Sequence, residues 1–131
     1  MEFEVDRDSG MPVYAQLARQ VREALRLGWL RPGDRLPTVR EVVATSRVNP
    51  NTVLKAYRQL ESEGLVEGRV GAGTFVKASL GTVAPEAMAR LLVQCTRFVH
   101  EARSAGLEDE DIYALVGAVL SEKDNETEQV K

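Results

Sequence analysis

The sequence predicts a mainly α-helical fold with one small β-hairpin. Three features predict it. Apolar residues recur at helical spacing in separate segments. Two side-chain caps stand directly ahead of the second and third helical segments. Two short β-prone runs flank Gly71-Ala72-Gly73. The 131 residues, 44% of them apolar, suit one small domain plus an accessory helical piece.

Residues 1–8 alternate in part (Phe3, Val5) and read as a short strand or a docked arm, broken by Ser9, Gly10 and Pro12. From Val13 to about Gly28, Val13, Leu17, Val21 and Leu25 recur every fourth residue. Tyr14, Ala18 and Ala24 widen that stripe into the apolar face of a first helix. Pro32-Gly33 lies beyond its end. Thr38-Val39-Arg40-Glu41 has the spacing of a capping box, so a second, short helix is expected from about Thr38 to Thr45. Asn49-Pro50 opens a third from about Pro50 to Ser62. Asparagine caps well there, and proline at the first helical position sacrifices no hydrogen bond. Val53, Ala56, Tyr57 and Leu60 fall on its buried face. Asn51, Thr52, Lys55 and Arg58 lie mainly off it.

Leu65–Arg69 and Thr74–Ala78 read as the two strands. Helix, helix-turn-helix, hairpin is the order of a winged helix-turn-helix domain. A fourth helix is expected from about Pro85 to Ala105, with Met88, Leu91, Leu92, Cys95, Phe98, Val99 and Ala102 apolar. A fifth, from about Asp109 to Leu120, turns Ile112, Leu115, Val116 and Val119 inward. Two helices of this size cannot enclose a core, so they either pack back on the N-terminal domain or pair with another subunit, and a homodimer interface is expected. The expected organisation is thus a DNA-binding domain with an N-terminal arm over 1–78, a helical dimerisation region over 79–121 and a flexible tail over 122–131.

Charge is uneven. Residues 1–78 hold 12 Lys/Arg against 10 Asp/Glu, whereas 79–131 hold 5 against 10. Within 31–58 six basic residues face two acidic ones, a local footprint for nucleic acid on an acidic chain. The recognition helix would enter the major groove with Pro50, Asn51 and Thr52 at the bases, Asn51 suited to adenine. Lys55 and Arg58 would meet phosphates, and Arg47 in the turn would do so or stay solvated. Arg40 would reach a base or a phosphate, or else pair with Glu61 or Glu63. Amides near Thr38 and Asn49 are further phosphate anchors. Arg69, Gly71 and Gly73 suit a wing on the minor groove.

A single histidine, His100, and a single cysteine, Cys95, exclude an intrachain disulfide and a His-rich metal site. Cys95 reads as packing rather than redox chemistry. No constellation supports catalysis, so the protein is expected not to be an enzyme and to need no cofactor or metal. The acidic N-terminus does not resemble a signal peptide and no segment is apolar enough to span a membrane, so a cytoplasmic place is expected.

Leu30-Arg31-Pro32-Gly33-Asp34-Arg35-Leu36-Pro37-Thr38-Val39-Arg40-Glu41 closely resembles the opening signature of GntR-type bacterial transcriptional regulators. Val48 to Val53, Ala56 to Leu65 and the wing Gly71-Ala72-Gly73-Thr74-Phe75-Val76 continue the match, over about 12–77. The short two-helix C-terminus is similar to that of the YtrA subfamily. The resemblance implies a homodimeric regulator, often a repressor, and gives Arg40 a DNA-contacting role. Four positions depart from the pattern. Arg47 stands at the usual turn glycine, Ser46 at a usual leucine, and Pro50 and Leu54 where some members place DNA-reading arginines. The expected function is a sequence-specific regulator of an inverted-repeat operator in double-stranded DNA. The alternatives are a regulator that binds an unknown small-molecule effector at the C-terminal interface, and a winged-helix protein-interaction module.

Overall fold

The computed structural model describes residues 1–129. Its elements in chain order are α1 (Val13–Arg26), α2 (Val39–Ser46), α3 (Pro50–Ser62), β1 (Val66–Arg69), β2 (Gly73–Val76), α4 (Pro85–Ser104) and α5 (Asp109–Gln129). They fall into two compact units, one spanning Met1–Pro85 and the other beginning at Glu86.

In the first unit α1 buries Leu17, Ala18, Val21, Ala24 and Leu25, the stripe its sequence spacing predicts. It stops at Arg26, short of the expected Gly28. Gly28 sits at φ +76°, and the amide of Trp29 returns to the Ala24 carbonyl at 2.9 Å. Glycine enters that left-handed bend without the backbone strain an L side chain carries there. α2 runs one residue further than expected. The Thr38 hydroxyl accepts the Glu41 amide at 3.1 Å, closing half of the predicted capping box. The other half is replaced: the Glu41 carboxylate meets the Arg35 guanidinium at 3.5 Å. α3 has the predicted bounds and buries Val53, Ala56, Tyr57 and Leu60.

β1 and β2 pair antiparallel, with Val66 opposite Val76 and Arg69 opposite Gly73. Leu65 and residues 77–78 lie outside these strands and Gly73 inside, so the hairpin is tighter than expected. The segment before α2 lies along the outer edge of β2. Leu36 N donates to Thr74 O at 2.8 Å, and Val76 N donates to Asp34 O at 2.8 Å. Its only ladder pair is Arg35 with Phe75. This edge satisfies backbone groups that would otherwise be exposed. The core gathers Leu17, Val21 and Leu25 of α1, Leu36 of the edge segment, Val42, Val53 and Leu60 of the next two helices, and Val66 and Val76 of the hairpin.

The N-terminal residues form an arm rather than a strand. Phe3 is in the core. Two glutamines one turn apart on α1 hold the backbone around it. Gln20 accepts from the Glu4 amide and donates to the Glu4 carbonyl. Gln16, only 2% exposed, accepts from the Asp6 amide at 2.9 Å and donates to the Asp6 and Met11 carbonyls at 2.8 Å each. Burying that amide is tolerable because both of its ends are satisfied.

In the second unit α4 ends at Ser104. Gly106 follows at φ +101°, and the Leu107 amide returns to the Ala102 carbonyl at 3.0 Å. α5 then runs to Gln129, past the expected end near Leu120; 130–131 lie outside the described residues. Once nucleated, a helix adds Glu, Lys and Gln at little cost even without an apolar stripe. Among the described residues, Ala102 is the only buried side chain of α4 and α5. No described helix is long and apolar enough to cross a membrane.

Candidate nucleic-acid interface

The turn between α2 and α3 positions the site. Arg47 closes α2 in a left-handed conformation, φ 51° and ψ 43°, its amide bonded to Val43 O at 3.0 Å. It is the only non-glycine residue with positive φ among those described. An L side chain there costs about 1 kcal/mol. Val48 is buried beyond it, and Asn49 then caps α3: its side chain accepts the Asn51 amide at 2.8 Å. The Asn49 oxygen is thus committed to the cap. Pro50 occupies the first turn, as expected.

Asn51, Leu54, Lys55 and Arg58 are exposed along the outer side of α3, and Thr52 is half-buried. Arg40 is exposed on α2. The alternative pairing of Arg40 with Glu61 or Glu63 does not form. Glu63 instead receives two bonds from Arg22, at 2.9 and 3.0 Å, and Glu61 lies 3.5 Å from the Gly68 amide. Arg22, Arg35 and Arg69 spend their charge on Glu63, Glu41 and Glu67. Among the described residues, no carboxylate lies within 4.0 Å of Arg40, Arg47 or Arg58. Positive charge therefore stays free around the helix-turn-helix, where an anionic polymer would release counterions from it.

Behind α3, Tyr57 is buried and donates its hydroxyl to the Pro37 carbonyl at 2.5 Å. Burial, and secondarily the Glu41 carboxylate, push its phenol well above the ordinary range. The bond ties α3 to the residue ahead of the Thr38 cap, so the two helices of the motif share one anchor.

The wing carries Gly71 and Gly73 at φ +77° and +118°. Arg69 is less free than expected: Glu67 holds its guanidinium at 2.9 Å, and the Phe75 ring lies 4.3 Å beneath it. Two further residues, Val70 and Arg7, and one further contact, Lys55 with Tyr14, bear on this face and went unread in the sequence. Val70 is fully exposed at the wing tip. Lys55 rests its ammonium 4.0 Å over the Tyr14 ring, which fixes the direction of that charge. Arg7 of the arm donates to the Ser46 and Arg47 carbonyls. Val70 had a local signal, an apolar residue between Arg69 and Gly71. The other two had none, since their partners lie about 40 residues away in sequence.

In the second unit the expected interface residues are incompletely covered within one chain. Leu91, Leu92, Cys95, Leu115, Val116 and Val119 are exposed, and Met88, Phe98, Val99 and Ile112 are half-buried. A shallow depression along α4 includes Leu92, Thr96 and His100 but neither Met88 nor Phe98.

Comparison with known proteins agrees with this architecture. The model of the gntR family of bacterial regulatory proteins matches residues 13–76. The HTH-type transcriptional repressor YtrA of Bacillus subtilis is 34% identical over 92% of this chain and 93% of its own. Among solved structures, YtrA from Sulfolobus acidocaldarius, a GntR-family transcription factor, is 30% identical with a TM-score of 0.55, covering 92% of this chain and 97% of that one. AraR(DBD), solved in complex with operator ORX1, is 30% identical with a TM-score of 0.53, covering 58% of this chain and 98% of that one. A winged helix-turn-helix followed by two helices, with this signature from Leu30 to Val76, is a YtrA-like arrangement, and the chain belongs to the gntR family of bacterial regulatory proteins.

Proposed function

We propose that this protein is a homodimeric repressor that binds an inverted-repeat operator in double-stranded DNA. One observation carries the reading: Asn51, Lys55 and Arg58 on the outer side of α3, with Arg40 and Arg47 on α2 and its turn, are exposed while neighbouring arginines are neutralised. Asn51 reads a base edge from the first turn of α3, and Arg40 reaches a base or phosphate from α2. Lys55, Arg58 and Arg47 hold phosphates, and the wing lies along the minor groove. The apolar sides of α4 and α5 pair two copies, which sets the two recognition helices about 34 Å apart on successive major grooves. The operator complex of AraR(DBD) and the repressor named YtrA support DNA binding and repression respectively. Such work takes place in the cytoplasm.

Selection of random duplexes by the full-length chain near physiological salt, followed by sequencing, tests this. An enriched inverted repeat is the expected result. Binding without enrichment, or none, overturns sequence-specific regulation. On the selected operator, Arg40→Ala is expected to weaken binding by about 1–3 kcal/mol if its contact is bidentate to a base.

A further inference from the structure

The arm does more than cover the core. Arg7 is anchored to α1 through the loop it stands in. Buried Gln16 grips that loop at Asp6 and at Met11. Asp6 Oδ1 accepts the Asp8 amide at 3.0 Å and Ser9 Oγ accepts the Met11 amide at 3.1 Å, so the loop is internally braced. From it, Nη2 of Arg7 donates to Arg47 O at 2.9 Å and to Ser46 O at 3.3 Å. Those carbonyls close α2 at the one left-handed non-glycine residue of the described chain. The Ser46 hydroxyl adds a weaker link to the Phe3 carbonyl at 3.5 Å. A guanidinium over the last carbonyls of a helix meets the negative end of its dipole. It also secures a backbone shape that Arg47 would otherwise adopt reluctantly.

We infer that Arg7 is a positioning residue for DNA recognition: through the Ser46 and Arg47 carbonyls it presets the turn that aims α3. The inference rests on the DNA-binding reading above. Gln16 sets the reach of Arg7, and Arg47 receives its effect. Both bonds leave one nitrogen, Nη2, whose two hydrogens are held in the rigid guanidinium plane, whereas the ammonium of a lysine rotates on a flexible stem. Charge alone therefore does not replace it.

Two measurements on the full chain test this, with Arg7→Ala and Arg7→Lys beside the wild type. The first uses no DNA. Hydrogen exchange is expected to quicken about three- to tenfold in Arg7→Ala at the Arg47, Asn51 and Thr52 amides, and to stay unchanged at core amides of α1. Uniform quickening everywhere, or none at the turn, overturns the inference. The second is titration of the selected operator across salt concentrations. Arg7→Ala is expected to bind about three- to tenfold more weakly, with the slope of log K against log salt unchanged, and Arg7→Lys to recover little. A slope reduced by about one unit would make Arg7 a direct phosphate contact instead, and full rescue by lysine would make it a charge effect; either overturns the positioning role. If no operator is selected, the DNA-binding reading fails by itself, and the exchange experiment still decides whether the arm holds the turn.

Discussion

Arg47 carries two opposed demands. Its backbone is left-handed, where glycine is at ease and arginine is strained. Its side chain is exposed, cationic and free of carboxylates at the mouth of the motif. Arg47→Gly is expected to stabilise the protein by about 1 kcal/mol in thermal unfolding while weakening operator binding. Unchanged stability would show that the turn is not strained. Tyr57 makes the complementary case, a polar group whose burial is fully justified by one bond. Its folded phenol titrates above its unfolded value near 10, so neutrality is favoured by folding. The stability this supplies is present below about pH 10 and is lost as pH rises beyond it. Tyr57→Phe, read by denaturant titration, is expected to cost about 1–2 kcal/mol at neutral pH by orphaning Pro37 O. It is also expected to flatten the alkaline decline, and an equally steep decline in the variant would assign alkaline unfolding to another group.

At the scale of elements, α3 divides its labour by face. Val53, Ala56, Tyr57 and Leu60 fasten it, and Asn51, Lys55 and Arg58 remain outward. Lys55→Ala and Arg58→Ala are each expected to lower the magnitude of the operator salt slope by about one unit, with base preference retained. Changed base preference would move either residue from phosphate to base. The caps at Thr38 and Asn49, the period of α1 and the face of α3 were all legible, because each depends on residues within one or two turns. The edge segment from Gly33 to Leu36, the Gln16 and Gln20 grip on the arm, and the cation over Tyr14 were not. They join residues far apart in sequence, and a glutamine amide makes the same sequence signal whether solvated or buried. The far half of α5 was missed for another reason. A polar run has no apolar period, yet Glu, Lys and Gln extend a helix readily. Of the candidate site, the outward residues were legible by elimination from the core. The tethering of Arg69 to Glu67 and Phe75 was not, since it follows from strand register.

For the whole molecule, the contrast between the two units matters most. The first has a closed core and satisfied polar groups. The second offers exposed Leu91, Leu92, Leu115 and Val116 with scarcely any burial of its own. Exposed apolar area of this kind marks an interaction surface. Leu92→Glu and Val116→Glu are expected to halve the mass seen by sedimentation and to weaken operator binding while the first unit stays folded. A persistent dimer would place the subunit contact elsewhere.

If the uncovered sides of α4 and α5 pair two copies as proposed, cellular abundance becomes a structural variable. A chain whose C-terminal helices are completed only by a second copy is half-finished when it is scarce. In the proposed dimer, operator occupancy would climb roughly with the square of chain number while dimers are rare. A modest change in synthesis would thus be read by the promoter as a steep one.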